Sequence, residues 1–183
     1  MPRLYVHFFV ALIINERNMR ICKFIFVLAT LAACSLALAA ETPQADKIII
    51  VKSKRTMTLM SGDKALKTYR VSLGTVPVGP KEIQGDHKTP EGSYVINGKN
   101  AGSRFHLSLR VSYPSPADRA RARKLGSRPG GDIMIHGLGR EFASLGLLQW
   151  QADWTDGCVA VTNEEIDEIW RLVPVGTKVE IRP

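Results

Sequence analysis

The chain has 183 residues, 45% apolar and 23% charged, with a formal net charge of +8. That length supports one domain with a real core rather than two, and the composition is neither that of a disordered nor that of a fibrous chain. Three cysteines, Cys22, Cys34 and Cys158, exclude a disulfide scaffold, because the first two fall in an apolar N-terminal stretch.

Residues 1–40 read as an export signal. Two apolar runs, 4–14 and 21–40, flank Asn15-Glu16-Arg17-Asn18. A start at Met19 gives a basic head (Arg20, Lys23), an apolar middle and a small-residue end, Ala37-Leu38-Ala39-Ala40, suited to cleavage. Neither run is clean enough over ~20 residues to favour a spanning helix. Leu31-Ala32-Ala33-Cys34 also resembles a lipobox, whose cysteine would carry lipid. The alternatives are a soluble exported protein of the periplasm or cell envelope and a lipoprotein anchored through Cys34. Loss of 1–40 removes four cations and one acid, so +8 becomes +5. A mildly basic exported protein suits an anionic envelope polymer and not nucleic acid, although charge kept for solubility needs no partner.

Residues 41–46 form a polar linker with Pro43, and 47–182 form the domain. Residues 47–52 and 56–60 read as strands, with a turn at Ser61-Gly62-Asp63 and a hairpin return over 65–73. A Gly/Pro-rich loop fills 74–92. A strand at 94–96 meets Asn97-Gly98, a hairpin-turn signal. From 105 to 113 the chain alternates, with Phe105, Leu107, Leu109, Val111 and Tyr113 on one face. Ser115-Pro116 opens a short helix that Gly126 stops. Residues 133–135 form a strand. Thr162-Asn163-Glu164-Glu165 is a capping box for a helix over 164–173, with Ile166, Ile169, Trp170 and Val173 on one stripe. A last strand covers 178–181. The expected fold is mainly β with two or three short helices, a curled mixed sheet or sandwich.

The candidate chemistry lies in Ile135-His136-Gly137 and Thr155-Asp156-Gly157-Cys158. Cysteine acyl transfer needs a thiol, a base and donors for an oxyanion. Cys158 follows a glycine that lets backbone approach a substrate, and His136 ends a strand from which it could reach the thiol. A buried cysteine is more often a small hydrophobe than a nucleophile, so the pair alone leaves both readings open.

These two segments resemble the active-site signature of the L,D-transpeptidase (YkuD-type) family, a His-Gly pair followed by Ser/Thr-x-Gly-Cys. Gly85-Asp86-His87-Lys88-Thr89-Pro90-Glu91-Gly92 is similar to a second family segment, Gly-Asp-x-x-Thr-Pro-x-Gly. The resemblance spans about 47–182. It departs at Asp156, where the family often has histidine, and at Ala160, where Arg or Asn is common. The interval of 22 positions from His136 to Cys158 is longer than in many members, and the chain resembles the subgroup with an Asp-Trp-Thr-Asp-Gly-Cys segment.

The resemblance implies a β-sandwich-like catalytic domain without metal or organic cofactor, and a monomer is expected. It implies Cys158 as nucleophile, His136 as general base, the amides of Gly157 and Cys158 as oxyanion donors, and Gly137 as the neighbour that orients the ring. The implied substrate is a peptidoglycan stem tetrapeptide, with D-alanine expelled from a Cys158 thioester in wall cross-linking or remodelling. The acceptor is a second stem, an envelope protein, or water, which would make the enzyme a peptidoglycan hydrolase of the same fold, an L,D-carboxypeptidase or an endopeptidase releasing wall-attached protein. A non-catalytic wall-binding module is the reading from another class.

Asp156 either orients His136 or caps its turn, and Thr155 serves either substrate or local backbone. His87 reads as solvated loop and His106 as a paired sheet-surface histidine. The three histidines left after leader removal are scattered, which argues against zinc. Arg119, Arg121, Arg123 and Lys124 read as a solvated helix face, with contact to anionic wall polymer the minority reading. Trp150 and Trp154 either shape a pocket or pack as core or lid.

Overall fold

The structure is a computed structural model and describes residues 43–183. The expected leader, with its Met19 start and Cys34, lies outside the described residues, as does the beginning of the 41–46 linker.

The strands are β1 (Lys47–Val51), β2 (Thr56–Ser61), β3 (Lys64–Arg70), β4 (Gly92–Ser103), β5 (His106–Val111), β6 (Met134–His136), β7 (Val159–Ala160) and β8 (Lys178–Arg182). The helices are α1 (Pro116–Lys124) and α2 (Asn163–Leu172), and a 3-10 segment covers Ala143–Gln151. The strands form one mixed sheet in the order β3-β2-β1-β8-β4-β5-β6-β7. Alternation sets its inner face: Ile48 and Ile50 of β1, Met57 and Leu59 of β2, and Val179 and Ile181 of β8 are all buried. β3 is an edge strand and buries only Tyr69.

The sheet curls until its ends meet. Ser72, just past β3, exchanges two backbone hydrogen bonds with Ala160 of β7, at 3.0 and 2.9 Å. The expected mainly β architecture with short helices is the one adopted. α2 lays Ile166 and Ile169 into the core, and Val173 follows them. Its capping box forms as the sequence predicts: Thr162 Oγ1 accepts from Glu165 N, and Glu165 accepts from Thr162 N. Ser115 and Asp118 make the same box at α1.

Three expectations are corrected. Asn97-Gly98 is not a hairpin turn. β4 runs through it with a register shift, and Asn97 Oδ1 accepts from Arg110 Nε across the pair at 2.9 Å. The chain reverses instead at Arg104 and Phe105, so Phe105 is a turn residue and not the start of the strand. β6 is set one residue later than expected and includes His136. The 3-10 segment has no counterpart in the sequence reading, because its apolar residues, Leu145, Leu147 and Leu148, are exposed and carry no inward stripe.

Candidate active site

β6 and β7 run parallel and place Ile135 opposite Val159 and His136 opposite Ala160. Cys158 therefore enters β7 one residue below the partner of Ile135, on the strand beside His136. Side chains two apart on a strand share a face, so alternation continued back from Ala160 puts Cys158 on the His136 side.

The cysteine loop is held by backbone and by Thr155. The Thr155 hydroxyl donates to the Cys158 carbonyl at 2.8 Å and accepts from Gly157 N at 3.1 Å. Backbone bonds from Thr155 N to Leu73 O and from Thr75 N to Thr155 O, each 3.0 Å, tie it to the segment after β3. Of the two readings for Thr155, this geometry fills the local one.

The Gly/Pro loop over 79–91 closes on this turn. Gly157 has a φ of +117°, and a Cβ there would lie 2.5 Å from Lys88 O. Gly74 is hemmed in by the His87 carbonyl and by Gly157 Cα, 3.1 Å from where its Cβ would stand. Both glycines are required for three chain segments to meet backbone to backbone. Lys52, 2% exposed, anchors the loop by donating to Gly79 O at 2.6 Å, Thr89 O at 2.9 Å and Glu91 Oε1 at 2.8 Å. Thr89 Oγ1 accepts from Gly74 N. Asp86 takes Lys81 Nζ at 2.6 Å and the amides of Glu82, Ile83 and Lys88. Burial pushes its carboxyl up, but these donors together outweigh burial and hold it below the ordinary value.

His136 is buried. Its Nδ1 lies 2.6 Å from the Gly137 carbonyl. A carbonyl only accepts, so Nδ1 carries the proton and Nε2 keeps its lone pair. Phe105 stacks on the ring with centroids 4.4 Å apart, and Trp154 meets it edge-on at 5.9 Å. Burial, with a contribution from Arg104, lowers the imidazole's basicity against the opposing pull of Gly137. Gly137 itself has no room for a side chain: a Cβ would lie 2.6 Å from Asn163 Oδ1 and 2.8 Å from Ile166 Cγ2.

The Cys158 thiol donates to Asp132 O at 3.5 Å, so at rest it is not handed to His136. Burial raises its pKa, and the carboxylates of Asp156 and Asp132 add to that, against the Met134 amide and Lys81. Both displacements favour the uncharged forms, a thiol and a neutral imidazole.

Asp156 is exposed and pairs with His87 Nδ1 rather than with His136. His87, read as solvated loop, is half exposed but bridges the upstream loop to the cysteine loop. His106 pairs with Asp167 at 2.8 Å, as a surface histidine. Trp154 Nε1 donates to Gln149 Oε1 at 3.2 Å, and its ring packs near Phe142, so it ties the 3-10 segment to the histidine. Among the described residues, no three or more His, Cys, Asp or Glu side chains gather as a metal would need.

The sequence reading missed Lys52, Phe105 and Asn163. Lys52 follows directly on β1, where a lysine ordinarily faces water. Nothing local announces that a loop some 30 residues on folds over it.

The profile of the YkuD family, the L,D-transpeptidase catalytic domain, matches residues 45–181. The chain belongs to that family. It is 33% identical over 132 residues to the Escherichia coli protein named "Putative L,D-transpeptidase YafK", covering 69% of this chain and 46% of that one. A Bacillus subtilis relative of similar name, YqjB, is 26% identical over 147 residues, covering 77% of this chain and 74% of its own. Among solved structures, the helical cell shape determining protein Pgp2 of Campylobacter jejuni superposes with a TM-score of 0.58 at 22% identity, over 76% of this chain and 48% of that chain. Bd1075 of Bdellovibrio bacteriovorus does so at 0.53 and 21%, over 78% and 49%. These superpositions speak to the fold. This L,D-transpeptidase domain spans about half the length of YafK and of Pgp2.

Proposed function

We propose that this L,D-transpeptidase domain is an exported cysteine acyltransferase acting on peptidoglycan stem tetrapeptides, with Cys158 as nucleophile and His136 as general base. The observation that carries the reading is the Nδ1–Gly137 bond, which leaves Nε2 as the free acceptor on the strand beside the thiol.

In this reading the thiol proton passes to His136 Nε2 as Sγ adds to the substrate carbonyl. The Gly157 amide is committed to Thr155, which leaves the Cys158 amide as the oxyanion donor and gives Gly157 a steric role. Collapse breaks the C–N bond, and D-alanine leaves with the proton from His136. An acceptor amine, from a second stem or an envelope protein, then gives its proton to His136 and attacks the thioester, which restores the thiol. The aromatic walls from Phe105 and Trp154 keep the imidazole neutral and able to accept.

The test is mass analysis of products from stem tetrapeptides with and without an amine acceptor. Cross-linked or acceptor-bearing product supports transfer. Water-derived product alone makes the enzyme a hydrolase of the same fold. Tetrapeptide left intact, with sacculi still bound, supports the non-catalytic wall-binding module.

A further inference from the structure

A cavity of about 430 Å³ lies between α1 and the loops on either side of it. Its walls carry Arg119 and Arg123 from α1 and Arg128 from the loop that follows. Arg119 and Arg123 are four residues apart and so share one helix face. Arg121, off that face, pairs with Asp118 at 2.5 Å. Among the described residues, Arg119, Arg123 and Arg128 have no carboxylate partner. A solvated basic face spreads its charges over a convex surface. Here three guanidinium groups border one concavity with no counter-charge, an arrangement that favours an anion.

The floor ties this cavity to the thiol. Gly130 and Gly131 line it and lead directly into Asp132, whose carbonyl receives the Cys158 thiol. Gln84, the other floor residue, donates from its amide to Arg128 O at 2.7 Å. It also packs against Gly130, where a Cβ would stand 3.4 Å from Gln84 Cα. Two extended residues span at most about 7 Å. A peptide with its reacting carbonyl at Cys158 therefore needs only a few residues to pass the Gly130–Gly131 edge of the cavity.

We propose that this cavity is the subsite for a carboxylate of the acyl-donor peptide, a few residues before the carbonyl that Cys158 attacks; this rests on the acyl-transfer reading above. The guanidinium fork matches a carboxylate through paired hydrogen bonds. The volume suits a single acidic side chain with its neighbouring backbone. Phosphate shares this chemistry, so the test separates the two.

The experiment uses the full chain as Cys158→Ala, which prevents turnover, and as the same variant with Arg119→Gln and Arg123→Gln. Each is titrated with stem tetrapeptide and with an analogue whose carboxylates before the reacting carbonyl are carboxamides. Charged hydrogen bonds of this kind correspond to about a tenfold or greater loss on removal. Amidation weakens binding to Cys158→Ala by about that factor and changes nothing further once both arginines are gone. Equal binding of both peptides to Cys158→Ala, or losses that simply add, overturns the proposal. Far-UV circular dichroism and unchanged melting certify that the arginine variant is folded. A second readout follows the amide signals of Gln84, Gly130 and Gly131 with succinate and with inorganic phosphate. Shifts with succinate that vanish in the arginine variant support the proposal, and shifts with phosphate alone overturn it. An intact peptide cycle in a protein whose Cys158 is never acylated would sink the acyl-transfer reading and leave the subsite standing.

Discussion

The His136 imidazole donates from Nδ1 to the carbonyl of its own neighbour, Gly137, at 2.6 Å. One backbone oxygen does for this ring what a carboxylate does in many triads: it fixes the tautomer. It adds no full charge, so burial prevails and the imidazole stays less basic than usual.

The pH dependence follows from that balance. The His136 pKa lies below 6.5 and that of Cys158 above 9.0, each displaced chiefly by burial. Turnover should therefore hold level across neutral pH, with its acid limb below 6.5 and its alkaline limb above 9.0. Alkylation of Cys158 by iodoacetamide should climb about tenfold per pH unit toward alkaline pH. A plateau already present at pH 6 would mean a resting thiolate–imidazolium pair instead.

Gly157→Ala tests the junction of the cysteine loop with the 79–91 loop. The new methyl would lie 2.5 Å from Lys88 O at a φ of +117°. Strain and overlap together should cost about 2–4 kcal/mol, read as a lower urea midpoint. Gly137→Ala meets Asn163 and Ile166 at 2.6 and 2.8 Å and should cost a similar amount.

Lys52→Met removes an ammonium that satisfies two carbonyls and the Glu91 carboxylate. The buried acceptors lose their donor, and a loss of roughly 3 kcal/mol is expected. The loop it anchors should loosen before the domain melts. Hydrogen exchange at Gly74, whose amide donates to Thr89, is the sensitive probe.

Asp86 makes stability depend on acid. Its folded pKa lies below the ordinary 3.8, because Lys81 and three amides outweigh burial. A lowered carboxylate stabilises the fold fully above the unfolded value, and that stabilisation is lost as pH falls through the folded value. Asp86→Asn should lose about 2 kcal/mol at pH 7. Its stability should then fall less steeply between pH 5 and 2 than that of the parent, measured by urea unfolding at each pH.

Local signals carried the elements that local chemistry decides. Ser115-Pro116 and Thr162-x-x-Glu165 cap their helices because a cap needs only neighbours a few residues away. The alternation around Leu109 and Val111 reads correctly because one face of that strand meets the core. Asn97-Gly98 misleads because Arg110, 13 positions on, claims the asparagine oxygen and keeps the strand running. Phe105 and Trp154 belong around His136 only once the sheet has curled and the 3-10 segment has folded back. Lys52 looks like a surface lysine until the Gly79 and Thr89 carbonyls close over it. The sequence held the thiol, the imidazole and the glycines; the walls around them are long-range.

Cys158 is the residue proposed to carry the acyl group. Intact-mass analysis of the full chain with stem tetrapeptide tests it most directly. The mass should rise by the tripeptide acyl group, located on Cys158, with D-alanine released and both signals absent in Cys158→Ala. A folded Cys158→Ala protein that converts tetrapeptide at the parent rate would contradict it.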